Sequence, residues 1–142
     1  GLMKRGLFLV LVIIFLSMDI IAIADDVSRN IEGDWEGIME SRQPNGSIAF
    51  RGNISLMMTR NGESIIGTFN IPDANQTWES PMKVGASDKI FLSFSQQMRE
   101  FTIGKDEKEM LLNAKFNATI KGYPRAVTLI FRKKPPSNVT QR

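Results

Sequence analysis

A chain of 142 residues with no cysteine and no histidine excludes a disulfide framework, thiolate zinc sites, cysteine nucleophiles and any Ser-His-Asp arrangement. The length suits one domain, and 42% hydrophobic with 23% charged residues is an ordinary globular composition. A net charge of +3 with the signs interspersed lacks the clustered basic face of a nucleic-acid binder.

In chain order, Lys4 and Arg5 precede the apolar run LFLVLVIIFL (7–16), and Ala22-Ile23-Ala24 precedes Asp25-Asp26. A basic start, an apolar core and an A-x-A site are the three parts of a secretory signal, with cleavage expected after Ala24. The alternative is a membrane anchor retained at the N-terminus. A spanning helix wants about 20 apolar residues, and Asp19 interrupts this run early. The sequence therefore predicts a secreted or periplasmic protein without stable membrane insertion. On this reading residues 1–24 are expected to be the signal peptide, 25–30 a lead-in, 31–134 the folded domain and 135–142 a disordered basic tail.

Within the domain, period-two alternation predicts strands. The first runs through Trp35 in IEGDWEGIME (31–40). Residues 47–59 place Ile48, Phe50, Ile54, Leu56 and Met58 in one phase. Residues 64–71 give Ile65, Phe69 and Ile71, and residues 77–84 give Trp78, Met82 and Val84. Residues 89–95 give Ile90, Leu92 and Phe94, and residues 99–104 give Phe101 and Ile103. Residues 111–121 alternate through Leu112, Ala114, Phe116, Ala118 and Ile120, and residues 126–132 through Val127, Leu129 and Phe131. Turn chemistry separates them: Pro44-Asn45-Gly46, Asn61-Gly62 (read as a type I′ hairpin), Pro72-Asp73, Gly85 with Ser87-Asp88, Asp106 with Lys108, and Gly122-Tyr123-Pro124. Short sequential strands with one apolar face predict an all-β domain. An eight-stranded antiparallel up-and-down barrel is preferred over a sandwich because closure removes unpaired edges.

Gly33-Asp34-Trp35 at the first strand, followed by this meander, resembles the calycin group: lipocalins, fatty-acid-binding proteins and avidins. The longer pattern, Gly33-x-Trp35-x-Gly37 with Leu56 and GTFNIP (67–72), is similar to small bacterial lipocalin-like domains, some of which stand ahead of α/β-hydrolase domains. The resemblance implies a calycin-like barrel in which Trp35 plugs one end and a late arginine, here Arg132, packs over it.

The inward phase collects Phe50, Leu56, Phe69, Trp78, Met82, Phe94, Phe101 and Phe116. These either line a cavity for a small apolar ligand or fill the barrel, and eight-stranded barrels do both. Arg99 shares the phase of Phe101, which places it at a rim. Glu36 and Glu40 share the outward face and read as solvated charges rather than an acid–base pair. The acidic tip Asp106, Glu107 and Glu109 reads as a solvated hairpin rather than a calcium site. Sequons at Asn45, Asn53, Asn75, Asn117 and Asn138 number five where chance gives about one. They fit either a glycoprotein or a bacterial protein with polar outer faces.

These features predict a non-enzymatic binding protein, without metal or cofactor, for a small apolar or amphipathic ligand inside the barrel. Affinity would come from apolar burial at about 25 cal/mol per Å², in a cavity of about 300 Å³ or more. The alternative is an extracellular or envelope module with a filled barrel and a protein partner on its outer face. Outward Ile38, Ile66, Phe91, Leu111 and Ile130 are its candidate patch, and clustering on one wall would favour it.

Overall fold

A computed structural model describes residues 30–135. The expected signal peptide, most of the expected lead-in, and the tail from residue 136, with its Asn138 sequon, lie outside the described residues. The chain divides into two units between Ile31 and Glu32. Of the first unit only Asn30 and Ile31 are described, both helical. No described helix is long and apolar enough to cross a membrane.

The second unit is all-β. Its strands are β1 (Gly33–Arg42), β2 (Ile48–Asn61), β3 (Ser64–Ile71), β4 (Gln76–Pro81), β5 (Lys83–Val84), β6 (Lys89–Phe94), β7 (Gln97–Asp106), β8 (Glu109–Ile120) and β9 (Tyr123–Lys133). A 3-10 turn, Pro72–Ala74, lies between β3 and β4. The order across the sheet is β4-β3-β2-β1-β9-β8-β7-β6-β5, with β1 pairing both β2 and the last strand. All pairings are antiparallel, giving a nearly closed up-and-down barrel compatible with calycin-like architecture.

The barrel has nine strands, not the eight expected, because residues 76–84 switch partners. Pro81 has no N–H to continue a ladder. Met82 N–H still reaches Ile65 O at 2.9 Å, and the chain then leaves β3. Lys83 and Val84 pair instead with Phe91 and Ile90 of β6. One stretch thus supplies both edges of the sheet and draws them together.

The remaining seam is closed by side chains. Trp78 Nε1–H donates to Ser93 O at 3.0 Å, and Ser93 N–H donates to Ser80 Oγ at 2.7 Å. Ser80 Oγ–H then donates to Pro81 O at 2.8 Å. Ser80 is one of two buried polar residues among the described residues, and its hydroxyl replaces a ladder bond.

Three local readings are corrected. Ile48, expected inside, is 49% exposed. The register shifts at the β1–β2 end: Ser41 opposes Phe50, but Arg42 opposes Ile48, so Ala49 is an extra residue and Ile48 turns outward. Asn61 is not a turn residue either. It pairs with Ser64, and Gly62-Glu63 form the turn with positive φ at Gly62 only, as a type II′ turn requires. Finally, Gly122 turns together with Lys121, whereas Tyr123 and Pro124 begin β9 opposite Ile120 and Thr119.

Candidate functional site

The inward aromatics pack against one another. Phe69 is fully buried and stacks on Trp78 with centroids 4.8 Å apart and planes 18° apart. Phe94, Phe101 and Phe131 stand 6.4, 6.3 and 6.2 Å from the same ring. Phe94 also meets Trp78 edge-on at 5.1 Å and Phe116 at 5.2 Å. Leu56 and Leu92 close in over Gly67, where an added Cβ would stand 3.1 and 3.0 Å from their methyl groups. Of the eight residues expected to line a ligand cavity, Phe69, Trp78, Phe94, Phe101 and Phe116 form this cluster and Leu56 is buried beside it. Phe50 and Met82 do not join it. Phe50 is half-buried, with its ring over Gly52, and Met82 sits half-buried where the chain changes partner strands.

One barrel end is closed by a cation. Arg99 holds its guanidinium 4.6 Å from the centre of the Phe116 ring. It donates from Nε to Phe94 O at 3.0 Å and from Nη1 to Asn117 O at 2.9 Å. The rim position expected of Arg99 is where it lies. Trp35 is buried near the opposite end, between Leu56 of β2 and Lys133 of β9. Arg132 is placed elsewhere than expected. It follows buried Phe131, so alternation turns it outward, where it is exposed and pairs with Glu109.

The outer wall of β2, β1 and β9 carries a groove of about 620 Å³. Its floor is the directly opposed pair Ile38 and Ile130, 39% and 48% exposed. Glu36 opposes Arg132 on one side of that pair, and Glu40 opposes Arg51 on the other. Asn53, Ser55 and Thr128 supply uncharged polar groups, and Pro72 adds an apolar wall. Gly37 lets β1 and β9 meet beneath it: a Cβ there would fall 1.9 Å from Ile130 O.

Charges around the groove are unequally satisfied. Glu40 accepts from Arg42 Nε at 2.7 Å, Glu36 lies 3.8 Å from Lys134 Nζ, and Arg132 is held by Glu109. The Arg51 side chain has no ion pair or hydrogen bond among the described residues. Glu36 and Glu40 are four residues apart on one strand, about 13 Å along it. That exceeds the roughly 5–9.5 Å at which two carboxyls work on one glycosidic bond.

Of the outward apolar residues, Ile38, Ile130 and half-buried Leu111 share the β1–β9–β8 wall, and Leu111 opposes Arg132. Ile66 on β3 and Phe91 on β6 are half-buried elsewhere. The sequon asparagines Asn45, Asn53, Asn75 and Asn117 are all exposed. Asn45 and Asn75 lie in turns, Asn117 lies on β8, and Asn53 lies in the groove opposite Ile38. At the acidic tip Asp106 pairs with Glu109 across a Glu107-Lys108 turn.

Arg51 and Thr128 are groove residues to which sequence reasoning gave no role. Alternation does mark Arg51 as outward, but its neighbours depend on cross-strand register, which a single strand does not encode. No family model matches the chain, and neither a curated protein nor a solved structure does.

Proposed function

We propose that this protein is a non-enzymatic interaction module of the extracellular or envelope space, binding a protein partner on the β2–β1–β9 wall of a lipocalin-like barrel. The observation that carries this reading is the contrast between inside and outside. Phe69 is ringed by four aromatic side chains, while the outer wall presents an apolar pair at the floor of a 620 Å³ groove. A ligand inside would have to displace rings whose mutual contacts each contribute about 0.5–1.5 kcal/mol beyond area burial. An occupant of the groove covers Ile38 and Ile130 without disturbing the core. Secretion through the N-terminal signal remains part of this reading, supported by the basic, apolar and A-x-A pattern of residues 4–24.

A photo-crosslinking amino acid at position 130, compared with one at position 68 on β3, outside the groove lining, tests the location. Discrete adducts in the source's own extracellular fraction are expected from position 130, absent from position 68, and lost when Ile38→Asp is added. Equal labelling from both positions, or a small molecule retained by the intact barrel in native mass spectrometry, would reject it.

A further inference from the structure

The groove also constrains the chemistry of its occupant. We infer that it takes an extended, acidic peptide segment of the partner, with Arg51 as the anchor for a carboxylate; this rests on the outer-wall reading above.

Four charged residues line the groove, and three already have opposite charges: Glu40 with Arg42, Glu36 with Lys134 and Arg132 with Glu109. Arg51 alone has none among the described residues, although Glu40 is directly opposite. The short Glu40–Arg42 contact diverts the carboxylate along its own strand. A ligand anion therefore completes the set, whereas a cation finds both acids already engaged.

The dimensions fit an extended chain. Each strand contributes about five residues, from Glu36 to Glu40, Arg51 to Ser55 and Thr128 to Arg132. That is about 13 Å of length, room for about four residues of extended peptide. Ile38 and the Glu40–Arg51 row are two residues apart, about 7 Å. Side chains on one face of an extended peptide recur at the same interval. The matching segment has an apolar residue on Ile38 and Ile130 and an Asp or Glu two positions away, at Arg51.

The uncharged side chains separate a peptide from a fatty acid, which would also offer an apolar body and a carboxylate. Asn53, Ser55 and Thr128 supply donors and acceptors that peptide amides satisfy. An acyl chain would cover them without returning a hydrogen bond, at a desolvation cost.

The test is selection of displayed random heptapeptides on the full chain and on three variants. The wild type should enrich an apolar–x–acidic pattern. Arg51→Ala should weaken a selected peptide about threefold to fivefold, as for an exposed ion pair. Arg51→Glu should turn the selected position to Lys or Arg, and Ile130→Ser should abolish enrichment. Because Arg51 and Ile130 are exposed, circular dichroism should show all variants folded. Enrichment that depends on Ile130 but ignores Arg51 would overturn the acidic assignment and leave the outer-wall reading standing. Enrichment indifferent to Ile130 would overturn both. Saturable binding of decanoate with no peptide enriched would overturn the peptide assignment.

Discussion

The guanidinium of Arg99 lies 4.6 Å above the Phe116 ring and donates to the carbonyls of Phe94 and Asn117, so one side chain ties β6, β7 and β8 together at the barrel end. The calycin resemblance leads one to expect an arginine packed on an aromatic at a barrel end. Here the contact forms with an earlier arginine and a phenylalanine. Arg99→Ala should cost about 2–3 kcal/mol, because two charge-assisted hydrogen bonds and a cation–π contact are lost together. Arg99→Lys should recover about half, keeping the charge over the ring but losing the planar fork. Urea unfolding midpoints of the three proteins measure this, and equal loss in both variants would show that charge over the ring contributes nothing.

Gly37 predicts a larger loss. A Cβ at this position would stand 1.9 Å from Ile130 O and 2.8 Å from Ile130 C, both backbone atoms of β9. No rotamer change relieves that overlap, so Gly37→Ala must separate β1 from β9. The expected cost is about 3 kcal/mol or more, at the upper end for overpacking. Gly46 is the control: its φ is +90° but an added Cβ meets nothing within 4 Å. Gly46→Ala should cost only about 1 kcal/mol, through backbone strain. Thermal unfolding of the two alanine variants should rank them in that order.

At the seam, Ser80→Ala removes the acceptor of Ser93 N–H and the donor to Pro81 O. Ser80 is 1% exposed, so water does not readily replace the hydroxyl, and the loss should be about 1–3 kcal/mol. Hydrogen exchange should accelerate locally at Ser93 and its β6 neighbours. The β1–β9 amides, far from the seam, should exchange as before. A uniform acceleration would mean that the seam does not open independently of the barrel.

Much of this architecture was legible because alternation follows from the pleat alone. Ile54, Leu56 and Met58, like Val127, Leu129 and Phe131, are buried as their phase demanded. What stayed hidden depends on pairs of strands. The Ser41/Arg42 register shift turns Ile48 outward, though its own strand gives no sign of it. The partner switch after Pro81 divides one alternating run into two strands. The β6–β7 turn, Ser95-Gln96, adopts φ of 53° and 66° without a glycine or asparagine, so no turn signal marked it. The candidate groove was half legible. Ile38 and Ile130 were readable as outward, but their direct opposition, and that of Arg51 to Glu40, emerge only from register.

Asn53 joins the sequon pattern to the groove and gives the last prediction. Its side chain is exposed and opposite Ile38, and Ser55, the hydroxyl residue of its sequon, lines the same groove. Both lie outward because they are two residues apart on one strand. A glycan at Asn53 would therefore stand over the Ile38–Ile130 floor. Glycans at Asn45, Asn75 and Asn117 would attach outside that lining. Chain secreted from a glycosylating host should bind a groove-selected peptide at least tenfold more weakly when Asn53 is occupied. Asn53→Gln made in the same host should restore binding, and Asn117→Gln should leave it unchanged. Peptide mapping gives the occupancy and fluorescence titration the affinity. Full-strength binding by chain fully occupied at Asn53 would place the docking surface elsewhere on the barrel.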